Sequence, residues 1–461
     1  MAATSRTVVI SNRLPVQRVG KGPSARWQTS PGGLVTAIEP ILRRSGGAWV
    51  GWTGVAGSSP RPATHEGYTV RPVPLSSHEV ETFYHGFSNS TLWPLYHDAI
   101  RTPEFHKDWW GPYVEVNRRF ARAAAAAARK GDLVWVHDFH LQLVPHYLRE
   151  LRPDLRIGFF LHIPFPPEEL FAWLPWRTQI LEGLLGADLV GFQTHAGAQN
   201  FSRAARAFTT ADGTDTSLEF DGRIVAVGSF PISIDTAWYE KAAADPATIR
   251  DAHAIRSRIG PSRKIILSVD RLDYTKGIDT RLQAIGEFFR RGRYGVDDVV
   301  FIQVAVPSRE RVGDYARLRT RIEQMVGSVN GEYSVPGRVA VHYFRRSLQR
   351  EELVAYYRAA DVMAVTPLRD GMNLVAKEYV ASRVDSGGVL VLSEFAGAAR
   401  ELRRALLVNP RDLEATASRF EEALALPKDD ARHRMNILRT VVRRHDVFEW
   451  ADTFIGALRR G

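Results

Sequence analysis

KIILSVDRLDYTKGIDTRLQAIGEFFRR, residues 264–291, sets the fold class of this chain. Lys264–Val269 is a short apolar run of the kind that fills a buried strand. Thr280–Arg291 then places Leu282, Ile285, Phe288 and Phe289 on one helical face. The loop between them carries Asp270, Arg271, Asp273, Lys276 and Asp279. Strand, charged loop and helix form the unit of a parallel sheet covered by helices on both faces. Downstream the theme returns with Val299–Val304, Val339–Tyr343, Val362–Thr366 and Val389–Leu392. Upstream, Thr7–Ser11 precedes a helix over Gly33–Leu42, and Leu133–Val136 precedes one over Gln142–Glu150. Ile157–Leu161, Leu189–Phe192 and Ile224–Val227 are further strands. Two such sets predict two α/β domains with ligands at the carboxyl ends of their strands. The join falls near Pro231–Asp251, an Ala-rich polar stretch that reads as a linker. Ala211–Gly222 reads as an exposed loop, and Ala121–Ala128 as ordinary helix.

A length of 461 residues suits two or three domains, and 44% hydrophobic with 24% charged residues is ordinary globular composition. No run of eighteen apolar residues predicts a membrane span. Met1–Arg6 leads straight into TVVIS with no apolar core or cleavage site, so no signal peptide is expected. Cysteine is absent, which removes disulfides, thiolate nucleophiles and Cys-based zinc sites, and points to a cytoplasmic protein. The formal charge is +10, and only eight of the 61 basic residues are lysine. The arginines are spread in short clusters such as Arg43-Arg44, Arg118-Arg119 and Arg345-Arg346 rather than gathered in an arm or basic helix. That distribution disfavours nucleic-acid binding. A few arginines suit small anions, because the planar guanidinium donates two parallel hydrogen bonds to phosphate.

The unusual residues fall at strand ends. SNRLP (11–15) follows the first strand, and SPGGL (30–34) opens the next helix. There Gly32 and Gly33 either let backbone amides approach an anion or make a plain turn. Arg271 and Lys276 leave one strand end, where a diphosphate would meet two cations; alternatively they pair with Asp270, Asp273 or Asp279. In TPLRDGMNLVAKEY (366–379) a strand ends at Thr366 and Asn373 caps a new helix, which offers amides to a phosphate or sugar hydroxyl. Glu378 either holds a ribose diol or is a solvated carboxylate on a capped helix. Gly-x-Gly-x-x-Gly is missing from that setting, which disfavours an NAD enzyme. His137-Asp138-Phe139-His140 and His162-Ile163-Pro164-Phe165-Pro166 follow two first-half strands. A metal reading of His137, His140 and His162 lacks the helical spacing of zinc hydrolases. Asp-x-Asp occurs nowhere, so metal-free chemistry is expected. FYHGFSNSTLWP (83–94) is too polar for a simple core helix. Tyr84 and Trp93 suit a sugar site, whereas Phe87 and Leu92 suit a structural role. Arg309, in Val306-Pro307-Ser308-Arg309 at the end of another second-half strand, either aims a cation at a ligand or makes a surface salt bridge.

SNRLP, PGGL, FSNSTLWP, HDFHL, HIPFP, RLDYTKG and RDGMNLVAKE, in this order over almost the whole chain, resemble the trehalose-6-phosphate synthase family of retaining glycosyltransferases. The resemblance implies the GT-B fold, two Rossmann-like domains whose parallel sheets face each other across a deep cleft. It implies an acceptor domain over 1–235, a nucleotide-sugar donor domain over 236–444, and a final helix within 445–461 returning to the first. The implied reaction moves glucose from a nucleotide diphosphate glucose to glucose 6-phosphate, giving α,α-trehalose 6-phosphate.

By the match, Arg13, Tyr84 and Arg309 bind the acceptor phosphate with Trp93 beside it, and Asp138 holds acceptor hydroxyls. Gly32, Gly33, Arg271 and Lys276 bind the donor diphosphate, with Leu374, Val375, Ala376, Lys377 and Glu378 on the rest of the nucleotide. His162 and Asp370 contact the transferred glucose. Asp138, His162, Arg271, Lys276 and Asp370 thus form the implied catalytic set. No cofactor beyond the donor sugar, no metal, and no nucleic-acid or membrane partner is implied; homo-oligomerisation is left open. Leu348-Gln349-Arg350 departs from the Phe-Asp-Arg of many relatives, which leaves the base (uracil, guanine or adenine) open. Two alternatives are a pseudoglycosyltransferase coupling an activated cyclitol to an amino-cyclitol phosphate, and a non-catalytic sugar-phosphate sensor. A sensor should have lost its diphosphate cations, and the motifs here are intact.

Overall fold

The computed structural model describes residues 6–19, 26–29, 33–58, 60–307 and 313–460; Gly32 and Arg309 lie outside them. The chain divides into two compact units, Met1–Ile232 with Phe448–Gly461, and Ser233–Val447.

The first unit is built on a ten-stranded sheet. Seven neighbouring strands run parallel, in the order Arg223–Ser229, Leu189–Phe192, Arg156–Phe160, Leu133–His137, Thr7–Arg13, Ala48–Trp52 and Tyr68–Pro72. Thr7–Arg13 is first in the chain; two strands extend one way from it and four the other. The chain therefore reverses direction between Thr7–Arg13 and Leu133–His137, the switch point where open α/β sheets bind ligands. Val8, Val9, Ile10, Trp49 and Val134 are wholly buried, as expected for strands covered on both faces.

The edges are antiparallel. Ala63–His65 folds back on Tyr68–Pro72, and Asp212–Gly213 and Ser217–Phe220 extend the other edge, where an exposed loop was expected. Both edge hairpins close through two residues with positive φ, Glu66-Gly67 (46° and 90°) and Asp221-Gly222 (51° and 68°). That turn is the one whose twist matches paired strands, and it makes a strand of Ser217–Phe220 rather than a loop.

A second departure lies in the aromatic segment. Val80–Leu92 winds as a π-helix, a rare form that occurs frequently at functional sites. Its polarity is absorbed by five-residue back-bonds: Asn89 Nδ2 donates to the Tyr84 carbonyl (2.6 Å) and Ser90 Oγ to that of His85 (3.0 Å). The last helix, Val447–Arg460, lays Trp450 and Phe454 against Trp135 at 5.0 and 4.5 Å between centroids. Gly158 and Gly191 permit this approach, since a Cβ on either would meet the Phe454 ring at 2.8 or 2.7 Å.

The second unit has six parallel strands in the order Val341–Phe344, Val299–Val306, Lys264–Arg271, Val362–Val365, Val389–Ser393 and Leu406–Val408. By chain position this is 3-2-1-4-5-6, the dinucleotide-fold order. Its switch point lies between Lys264–Arg271 and Val362–Val365. The stretch expected to be a linker is instead two helices, Thr236–Ala244 and Pro246–Ile259. Asp235 accepts the Trp238 amide and Asp245 accepts that of Ala247, while Pro246 takes the first helical position, where its missing N–H costs nothing. With Ala-rich interiors, these caps convert a polar stretch into helix. Among the described residues, no helix is long and apolar enough to cross a membrane.

Candidate active site

In the first unit, Arg13 ends the first strand and is exposed. Its guanidinium lies over the rings of Trp52 (4.3 Å) and Tyr84 (5.6 Å). Tyr84, from the π-helix, meets Trp52 edge-on at 5.7 Å and stacks on His140 at 5.7 Å and 11°. Gly54, at φ +90°, leaves room for this arginine, since a Cβ there would collide with Nη1. A cation fixed on aromatic faces, with its donors still accessible, is prepared for an oxyanion. Trp93 does not join this cluster through its ring. It is only 3% exposed, and it packs on His97 (4.2 Å) and Phe139 (5.6 Å) in the interior.

Asp138 follows the Leu133–His137 strand at φ +74° and ψ 166°, a strained region that residues other than glycine rarely enter. Its N–H donates to the Phe160 carbonyl (2.8 Å), and its Oδ1 accepts the His162 backbone N–H (3.3 Å). The His162 ring meets His137, Nε2 to Nδ1, at 3.1 Å. Burial lowers both imidazoles: His162 to about 3, and His137 well below the usual histidine range, with the neighbouring ring adding to the effect. Both are neutral at physiological pH. The histidine metal reading fails on geometry. Among the described residues, the group of three that brings ligand atoms within 4.8 Å is Glu39, His65 and Glu66, and its two carboxylates are engaged by Arg43.

In the second unit, the two switch-point loops converge. The loop after Lys264–Arg271 is shaped by Asp273, whose Oδ1 accepts the Thr275 amide (3.0 Å) and hydroxyl (2.9 Å) and whose Oδ2 accepts the Tyr315 hydroxyl (3.2 Å). Gly277 then takes a left-handed conformation at φ +60°. Lys276 Nζ reaches Asp370 Oδ2 at 2.5 Å, in the other loop, rather than Asp270, Asp273 or Asp279. Asn373, at φ +88°, ties that loop down. Its amide donates to Asp370 Oδ2 (3.1 Å), and its Oδ1 accepts the Ala376 N–H (3.0 Å), capping helix Leu374–Ser382. Arg271 is exposed at the strand end, and Leu374 and Val375 are half-buried at the helix start. Cation, carboxylate and helix N-terminus thus meet at one switch point, where an anionic nucleotide is expected to bind.

Glu378 is half-buried and hydrogen-bonded rather than freely solvated. Tyr357 donates its hydroxyl to Oε2 (2.8 Å), and burial raises the carboxyl's pKa despite that bond and a second from Tyr239. Arg350 sits over Trp238 and Tyr239, 3.4 and 4.6 Å from their centroids. Lys377 departs from the expected donor set: its side chain is 1% exposed and pairs with Glu401 at 2.7 Å, turned into the core. Gly33 opens the helix Gly33–Ser45.

Arg281 escaped the sequence reading. It is 1% exposed and donates to Asp270 Oδ2 (2.6 Å), Thr366 Oγ1 (2.8 Å), Gln303 Oε1 (3.1 Å) and the Lys276 carbonyl (3.0 Å). One buried guanidinium therefore ties two adjacent strands and the residue just after a third to the loop that presents Lys276. An arginine inside an amphipathic helix reads as surface, and only its neighbours in space show otherwise. Trp52 and Tyr239, which flank the two sites, likewise carry no motif of their own.

Two Rossmann-type sheets in one chain, each bearing charged loops at its switch point, match the architecture of the GT-B glycosyltransferases. The chain belongs to glycosyltransferase family 20, whose model matches residues 5–460. It is 54% identical over 469 residues to the trehalose-6-phosphate synthase of Mycolicibacterium smegmatis, covering 99% of this chain and 93% of the relative. The E. coli protein solved with UDP-2-fluoro glucose bound superposes with a TM-score of 0.92 at 34% identity, covering 99% of each chain. A UDP-forming α,α-trehalose-phosphate synthase from Burkholderia xenovorans, solved with glucose 6-phosphate, gives 0.89 at 33% identity, covering 98% of this chain and all of the other.

Proposed function

We propose that the protein transfers glucose from UDP-glucose to glucose 6-phosphate with retention, giving α,α-trehalose 6-phosphate and UDP. The observation that carries the reading is the Lys276–Asp370–Asn373 constellation at the second unit's switch point, in a chain whose relatives make this product. In this reading Arg271 and Lys276 hold the donor diphosphate, and Leu374–Glu378 meet the rest of the nucleotide, with Lys377 contributing through its backbone. Asp370 and His162 hold the transferred glucose, Asp138 holds acceptor hydroxyls, and Arg13, Tyr84 and Arg309 bind the acceptor phosphate.

The glucose C1–O bond to the diphosphate breaks, and the new C1–O bond to the acceptor forms on the same face. The leaving diphosphate oxygen takes the acceptor proton, so no carboxylate nucleophile is needed. Arg271 and Lys276 stabilise the charge developing on that leaving group; removing one such donor typically costs about 3–4 kcal/mol. Fixing both sugars in attack geometry supplies the remaining advantage. Labelled glucose 6-phosphate incubated separately with UDP-, GDP- and ADP-glucose tests the reading. Trehalose 6-phosphate should form fastest with UDP-glucose. No product from any of the three, with folded protein, overturns it.

A further inference from the structure

We infer that His137 is a positioning residue that fixes the tautomer of His162, so that His162 presents Nδ1 as a hydrogen-bond donor. The inference rests on the proposed reading only in assigning that donor to an oxygen of the transferred glucose; the tautomer itself follows from local geometry. The two rings share one hydrogen bond, His137 Nδ1 to His162 Nε2, 3.1 Å. The far nitrogen of His137, Nε2, is fully buried and meets no hydrogen-bond partner among the described residues. Both rings are neutral, so each carries one proton, and two arrangements remain.

In one, His137 carries its proton on Nε2, and Nδ1 accepts from His162. That strands an N–H donor in the core. In the other, His137 carries the proton on Nδ1 and donates it to His162, leaving only a lone pair buried at Nε2. Orphaned buried N–H groups are much rarer than under-satisfied acceptors, so the second arrangement prevails. His162 must then accept at Nε2 and hold its own proton on Nδ1. The titratable groups against His162 are His137 from the adjoining strand and Asp138 from the loop after it, whose carboxylate takes the His162 backbone N–H. Phe160 and Trp450 pack near the His162 ring, at 4.8 and 6.3 Å between ring centroids, and the residue stays half-buried. The choice made at buried His137 therefore passes through this single hydrogen bond to the far nitrogen of His162.

Asparagine and aspartate at 137 separate this from a packing role, since they are nearly isosteric and both place a polar atom where Nδ1 stands. H137N keeps a donor and should leave the pH profile flat between pH 5.5 and 9, like the parent. H137D offers only an acceptor, so neutral His162 turns its proton inward and loses the outward donor. Turnover at neutral pH should fall roughly 10-fold or more. The carboxylate also raises the His162 pKa, and the imidazolium carries protons on both nitrogens. H137D activity should therefore recover as pH falls. If His162 instead worked as an outward acceptor, H137D would stay active at high pH and lose activity as pH falls, which overturns the proposal. Neutron diffraction of the parent protein reads the tautomer independently of folding in the variants and of catalysis. A deuteron on His162 Nδ1 supports the inference, and one on His162 Nε2 with none on Nδ1 refutes it, whatever the substrate proves to be.

Discussion

Replacing Arg281 by methionine removes a guanidinium from the middle of the second unit while retaining much of the volume of its stem. In the parent, that group donates to Asp270, Thr366, Gln303 and the Lys276 carbonyl. Without it, Asp270 keeps the Ser268 hydroxyl at 3.1 Å and is left as a buried carboxylate that has lost its ion-pair partner, with Lys276 as the remaining cation acting on it. Breaking one half of a buried ion pair costs about 3–5 kcal/mol. At roughly 2–4 °C per kcal/mol for a unit of 150–250 residues, the melting transition of this unit should fall by about 6–20 °C. The loss has a pH signature. Burial already raises the Asp270 carboxyl above its ordinary value, and removing Arg281 raises it further. The folded state then binds a proton that the unfolded chain has released. The R281M deficit should therefore grow as pH rises above the ordinary carboxylate range and shrink as pH falls toward it. R281M/D270N, which exchanges the carboxylate for a neutral amide, should recover at least half of the lost stability. Scanning calorimetry at pH 5 and pH 8 measures all three proteins, with the UDP-shifted transition assigned to this unit. An R281M transition within 2 °C of the parent, or a double variant no better than the single one, would refute the argument.

Arg13→Ala should weaken glucose 6-phosphate by roughly 10–150-fold, the value of one charge-assisted hydrogen bond, while barely changing the poor activity on unphosphorylated glucose. Equal loss on both acceptors by a folded variant, in steady-state kinetics, would remove Arg13 from the phosphate site. Lys276→Ala should show the converse, a drop of about 100–1000-fold in turnover with acceptor affinity nearly unchanged, checked by titrating each substrate. Turnover should also survive excess EDTA, because two protein cations serve the leaving diphosphate in this reading. A collapse reversed by magnesium or manganese would count against it.

The sequence by itself determined the class of fold, because strand–helix alternation is a local pattern that the backbone obeys wherever the residues sit. Lys264–Arg271 and Ile278–Arg290 emerge within two residues of the bounds their apolar spacing predicts. Asp221-Gly222 and Asp245-Pro246 were equally local signals, and their chemistry makes a hairpin and a helix start where a loop and a linker were expected. Motifs likewise marked Arg13, Asp138, His162, Lys276 and Asp370, since each follows a strand. What each does with its polar atoms was settled only by the tertiary structure. Lys276 chose Asp370, 94 residues away, over three aspartates within six residues. Arg281 found Thr366 across 85 residues, and His137 found His162 across 25. Trp93 and Lys377 were both expected at the site, yet their side chains turn inward. Desolvation is the reason. A buried charge or donor must find its partner among whatever groups the packed strands bring near, and that set is fixed by strand order rather than by neighbours along the chain.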